Sequence, residues 1–164
     1  MPHYIILRGP LGCGKTTIAQ KLSKKLGNAI VVHIDDVLKE HDLDRVSETI
    51  GCIPPENFVK AQEIVLPEVK EALDLGKIVI FDACFYHKEA IEHLTDSLPF
   101  SHYIFTLKAP IDVCITRDKN RAHSYGEGAA RAVYNLVSKF DYGVNVDISG
   151  TVDEAVESIM ANLP

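Results

Sequence analysis

The run GPLGCGKTT, Gly9 to Thr17, lies between an apolar stretch, YIILR, and an amphipathic one, IAQKLSKKL. No other feature of the chain restricts its fold as much. It fits G-x-x-x-x-G-K-[ST] at every fixed position, with Gly9, Gly14, Lys15 and Thr16 in the defined places. Such a loop works only where backbone N–H groups converge on phosphate oxygens, so glycine is needed where a Cβ would collide or φ must be positive. A helix must follow, because its N-terminal dipole completes the anion site. Gly9, Gly12, Cys13, Gly14, Lys15, Thr16 and Thr17 are therefore the candidate nucleotide-binding residues. Lys15 is placed to bridge the β- and γ-phosphates, and the Thr16 hydroxyl to bind Mg²⁺. Cys13 fills a variable slot as a small residue, and a thiol this near the phosphates is expected to make the activity sensitive to oxidation.

Beyond the loop, short apolar runs alternate with helical patterns. Residues 4–8, 29–34, 77–85, 101–108 and 144–148 read as strands. Residues 16–26, 54–76, 87–98, about 111–121, 130–140 and 151–163 read as helices, with Gly27 and Gly76 as stops and Thr151 as an N-cap. Pro67 is expected to kink or split the helix over 54–76. HSYGEG, residues 123–128, is a candidate mobile loop. Five strands separated by helices imply an α/β parallel sheet with helices on both faces.

Composition narrows the partners. A chain of 164 residues is expected to form one domain, 1–164. The net charge of −6 argues against coating nucleic acid, whose phosphates dominate such affinity. The four cysteines, Cys13, Cys52, Cys84 and Cys114, form no C-x-x-C pair, which supports neither zinc nor a disulfide framework. No apolar run reaches the roughly 20 residues of a membrane span, and the N-terminus lacks a signal peptide's features, so a cytoplasmic location is expected.

Three further stretches carry candidate chemistry. HIDD, His33 to Asp36, ends the second strand, where ligands of open α/β sheets bind. A carboxylate there can take the proton of an attacking hydroxyl; Asp35 is favoured over Asp36 as this base. Alternatively Asp35 only caps the short helix that follows. KIVIFD brings Asp82 to the end of a buried strand, the arrangement of an acid that holds Mg²⁺. IDVCITRDKNR carries Arg117 and Arg121 four residues apart, on one helix face, before the glycine-punctuated loop. Such a pair can close over ATP and neutralise transferring charge. Arg131 is a weaker candidate, and Arg45, Tyr86, His87 and Lys88 are possible lining of an acceptor pocket. ISGT, residues 148–151, is expected to pass under the nucleotide base through backbone groups.

GPLGCGKTT, HIDD, KIVIFDA, RDKNR and VDISGT, in this order, resemble the small P-loop kinases of the nucleoside/nucleotide-kinase-like group, with their AAA-type ATP-binding domain. Within it the chain looks most like the zeta-toxin, chloramphenicol phosphotransferase, gluconate kinase and polynucleotide 5′-kinase branch. The resemblance implies a three-layer fold with a five-stranded parallel sheet ordered 2-3-1-4-5. It implies ATP and Mg²⁺ held by Lys15, Thr16 and Asp82, with Asp35 as base. It also implies a lid segment at about 117–131, with Arg117 beside the adenine and Arg121 nearer the phosphates. Several relatives carry an arginine soon after the β-strand acid; here His87 and Lys88 stand, which argues against a phosphate-bearing acceptor. The expected activity is a kinase transferring the γ-phosphoryl group to a hydroxyl of a small molecule. Alternatives are a nucleoside or nucleotide kinase and a non-catalytic ATP-bound switch. No membrane partner is expected, and no nucleic acid unless a 5′-OH end is the acceptor.

Overall fold

The computed structural model describes residues 1–164. Strand β1 (His3–Arg8) is buried along its whole length, as a continuous apolar run at a sheet's centre must be. It pairs in parallel with β3 (Ile78–Asp82) on one side and β4 (Ser101–Lys108) on the other. Strands β2 (Ala29–His33) and β5 (Val144–Asp147) add the two edges. The order is β2-β3-β1-β4-β5, all parallel, as the resemblance implied.

Alternation along the strands divides the core in two. Tyr4, Ile6, Val79 and Phe81 face one layer. There they meet Phe58, Leu66 and Val69 of α3 (Pro55–Asp74), Ile91 and Leu94 of α4 (Lys88–Ser97), and Val137 of α6 (Glu127–Val137). Ile5, Leu7, Ile80 and Phe105 face the other. There they meet Ile18 and Leu22 of α1 (Lys15–Leu26), Cys114 of α5 (Ile111–Lys119), and Val156 and Ile159 of α7 (Val152–Met160). Each such buried aliphatic side chain contributes about 1.5–3 kcal/mol. Helix α2 (Ile34–Glu40) follows β2 directly. Thr151 caps α7 as expected, its Oγ1 accepting from the Glu154 N–H.

Three expectations need correction. The second strand ends at His33, so Asp35 and Asp36 lie in the first turn of α2 rather than on the strand; two carboxylates there suit the positive end of the helix dipole. The third strand spans 78–82 rather than 77–85, and ends on Asp82 itself. Pro67 does not split the long helix, because α3 runs unbroken from Pro55 to Asp74. Leu66 and Val69 are buried on its core face while Pro67 is exposed, so the carbonyl that loses its partner opens to water.

Candidate active site

Because the strands are parallel, their carboxyl ends share one edge, and the loop after β1 lies there. Gly12 and Gly14 have φ of 72° and 88°. A Cβ on Gly12 would run into the Cys114 carbonyl, so only glycine fits between the loop and α5. Gly14 has open space but the same left-handed backbone, from which α1 starts. Lys15 is buried, and its Nζ folds back over the loop to donate to the Pro10 carbonyl at 2.8 Å.

The hydroxyl of Thr16 donates to Asp82 Oδ2 at 2.9 Å, which joins the loop to the end of β3. His33, at the end of β2, places Nδ1 at 2.8 Å from the same oxygen. A carboxylate only accepts, so Nδ1 carries the proton. This hydrogen bond raises the His33 pKa, against the opposing effect of burial. His33 was not among the candidate residues; its place beside Asp82 follows from the register, which sets the two opposite each other on adjacent strands. Thr16 and Asp82 present hard oxygen donors at one point. That set fits Mg²⁺, which takes one or two protein oxygens and completes its shell with phosphate and water.

Asp35 is half-buried and lies on the wall of a cavity of about 380 Å³ beside the loop; Asp36 is exposed and not part of that wall. Removal from water raises the Asp35 carboxyl to about 6, with Lys15 opposing and Asp82 adding to the rise. Leu11 of the phosphate loop, Phe58 of α3, Tyr86, and Val133 and Leu136 of α6 complete much of the wall. Tyr86 thus joins the pocket as considered possible. Arg45 and Lys88 do not line it, and His87 is held by the Ile53 carbonyl at 2.7 Å.

A second cavity, about 220 Å³, opens on the other side of the loop, with Cys13, Gly14 and Thr17 on its wall. Arg117 crosses it, donating to the Ile148 carbonyl at 2.8 Å, Gly150 at 3.2 Å and Cys13 at 3.4 Å. It therefore joins the phosphate loop to the 148–151 turn. Arg121 does not share its helix face. Helix α5 stops at Lys119, and Arg121 lies beyond it, exposed, 5.4 Å from the Tyr125 ring centroid. The reason is Asp118, which is buried and accepts from the Ser124 hydroxyl at 2.7 Å and from the Gly126 and Tyr125 N–H groups at 3.1 and 3.3 Å. It folds the chain back on itself. Arg131 is occupied by Glu127, four residues earlier on α6.

Two residues behave otherwise than their spacing implied. Cys13 is buried and its thiol pKa is raised by that burial, which makes it a poor target for oxidants. Arg8 is fully buried, and its guanidinium donates to the Phe85, Phe140 and Val137 carbonyls and to the Thr106 hydroxyl. Burial lowers its pKa to about 10, so it stays charged and ties β1 to β4 and the end of α6. An arginine ending a fully apolar strand was the available signal for it.

The strand order, the loop and the acid ending β3 define a P-loop protein of the nucleotide-kinase-like group. Residues 5–140 match the AAA domain family model, and the chain belongs to that family. No curated protein matches it at a significant level. Among solved structures it is similar to a sugar kinase from Janibacter sp. (16% identity, 98% of this chain, 94% of that one, TM-score 0.81). It is also similar to a gluconokinase from Sinorhizobium meliloti (15%, 98% and 90%, 0.68). A third is the Mycobacterium tuberculosis APS kinase in complex with AMPPNP and APS (17%, 97% and 95%, 0.69). At these identities the likeness is one of fold. No helix is long and apolar enough to cross a membrane.

Proposed function

We propose that the protein is an ATP- and Mg²⁺-dependent kinase that transfers the γ-phosphoryl group to a hydroxyl of a small molecule. The observation that carries this reading is Asp35, a carboxylate raised to about 6 on the wall of a cavity that Leu11 of the phosphate loop also lines. A nucleotide switch has no use for such a group. Kinase neighbours of the same fold support the reading.

In this account the triphosphate lies along the Gly9–Thr17 loop, with the base in the cavity that Arg117 crosses. Thr16 and Asp82 would hold Mg²⁺, which would supply neutralisation of phosphate charge. Lys15 leaves Pro10 to pair with phosphate oxygens. Asp35, ionised at neutral pH, accepts the proton of the acceptor hydroxyl as the acceptor oxygen bonds to the γ-phosphorus and the bond from that phosphorus to the β,γ-bridging oxygen breaks, releasing ADP; base catalysis of this kind gives roughly 10²–10⁴-fold. The segment at about 117–131 acts as a lid, with Arg121 turning from Tyr125 and from its 3.9 Å ion pair with Asp118 toward the transferring charge. Positioning and electrostatics supply most of the rest.

The test is acceptor-stimulated ATP consumption over a panel of alcohols, sugars, nucleosides, nucleoside monophosphates and 5′-OH oligonucleotides. Lys15→Ala should abolish transfer with its thermal melt intact, and unchanged turnover refutes the site. Asp35→Asn should cost at least 10²-fold in kcat with little change in ATP affinity. If Asp36→Asn alone produces that loss, the base has been assigned to the wrong neighbour.

A further inference from the structure

We propose that the 380 Å³ cavity selects a neutral, largely apolar alcohol and rejects sugars, acids and phosphorylated compounds; this rests on reading that cavity as the acceptor site. Thirteen of its seventeen wall residues are hydrophobic, drawn from Leu11, the segment after α2, α3 and α6. Only Asp35, Asp44 and Lys39 on the wall are charged. Two of these three are acids. The single cation, Lys39, donates to the Tyr125 hydroxyl at 2.9 Å and sits 5.3 Å from that ring's centroid.

An anionic acceptor would enter facing two carboxylates, with one ammonium on the wall, Lys39, to offset them. Arg8 cannot serve, because it is fully buried away from this wall and makes four hydrogen bonds within the core. Arginine is the residue that recognises carboxylate and phosphate by a matched fork of donors, and the wall contains none. A sugar fails for a different reason. Its several hydroxyls need partners, and a wall of Leu38, Ile53, Phe58, Val133 and Leu136 offers none. Each hydroxyl left unpaired lowers affinity by roughly tenfold or more.

Among the buried and half-buried wall residues, two polar side chains, Asp35 and Tyr86, can meet a ligand hydroxyl. Asp35 accepts the reacting hydroxyl, and Tyr86, whose oxygen takes the Ile53 N–H at 3.1 Å, keeps its own O–H for the ligand. Val46 is 55% and Tyr125 45% exposed, so two large apolar side chains stand at the mouth beside the exposed Lys39 and Asp44. Large apolar side chains held open to water around a concave apolar wall mark a ligand's entry.

Calorimetric binding to the whole protein with Mg²⁺ and AMPPNP tests the assignment. The probes are a panel of neutral aromatic and aliphatic alcohols, the carboxylate and phosphate ester of each carbon skeleton, and gluconate. The expected result is that some alcohols bind at least tenfold more tightly than their own acids and esters, with gluconate weaker still. Ala132→Arg puts a cation on the same wall from an exposed position on α6, where arginine is tolerated. It should weaken the alcohols and strengthen the carboxylates, with the circular dichroism spectrum unchanged. Preference for gluconate or a phosphate ester, no binding by any alcohol, or an unchanged preference in Ala132→Arg each overturns the proposal. Alcohols that bind but are never phosphorylated support this selectivity and refute the kinase reading, so the two failures are distinguishable.

Discussion

Asp35 and Asp36 are adjacent and chemically identical, and only their surroundings separate them. Asp35 is half-buried against the cavity while Asp36 is exposed. The resemblance to the small P-loop kinases favours Asp35 as the acid after the second strand, but burial is a tertiary property and no neighbouring residue encodes it. Its consequence is a pH dependence. Folding raises the carboxyl from about 3.9 to about 6. Between these values the folded state holds a proton that the unfolded state has released, so stability falls as pH rises through the window. Asp35→Asn should thus be more stable than the native protein above pH 6, on the order of 1–3 kcal/mol, with the difference fading toward pH 4. Urea unfolding at pH 4, 5, 6 and 7 measures it; a constant difference across that range contradicts the raised carboxyl. The same group must be ionised to act as base. The acid limb of kcat/KM should therefore inflect near 6 and disappear from the residual activity of Asp35→Asn.

At the scale of elements, the strongly patterned pieces are legible and the ends are not. The apolar strands and the amphipathic α1 lie close to where periodicity put them, because burial and periodicity are the same signal. Helix α5 is two residues shorter than its pattern because Asp118 is captured by the turn at Ser124–Gly126, a contact absent from any helical repeat. That shortening is what separates Arg121 from Arg117. Helix α3 shows the converse: tertiary packing of Leu66, Val69 and Leu73 carries the helix through a residue that costs about 3 kcal/mol in an isolated helix interior. Pro67 is exposed, so its ring holds no core contact in place. Pro67→Ala restores an N–H for the Glu63 carbonyl and relieves the ring's clash, while giving back some unfolded-state entropy. The expected net effect is a gain of roughly 1–2 kcal/mol in unfolding free energy by urea titration, with kcat unchanged. A loss of stability would mean that the helix is shaped around the proline.

For the whole molecule, the sheet order follows from the resemblance, and the α/β alternation alone required only a parallel sheet. The 380 Å³ cavity proposed to take the acceptor was the least legible feature. Its wall comes from the phosphate loop, α2, the segment after it, α3, the segment after β3, Tyr125 and α6, so no single stretch bears its signature. The nucleotide side is different, because the loop, Asp82 and Arg117 each carry a local pattern. Both cavities open along one sheet edge, and ligand binding there must stabilise the chain globally, since the loop packs on α5 and Asp82 belongs to the central strands. With ATP and Mg²⁺ at 100 times the dissociation constant the stabilisation is about 2.7 kcal/mol. For a domain of this size that raises Tm by roughly 5–10 °C. Gly12→Ala should remove this increment even though it leaves every charged ligand in place. Its Cβ meets the Cys114 carbonyl, so the loop must move off α5 and its N–H groups no longer converge. Differential scanning calorimetry with and without ATP and Mg²⁺ separates the outcomes. An unliganded variant that melts like the native protein yet gains nothing from nucleotide locates the phosphate site in the backbone of the loop. A full increment in Gly12→Ala shows instead that Lys15, Thr16 and Asp82 hold the nucleotide without it.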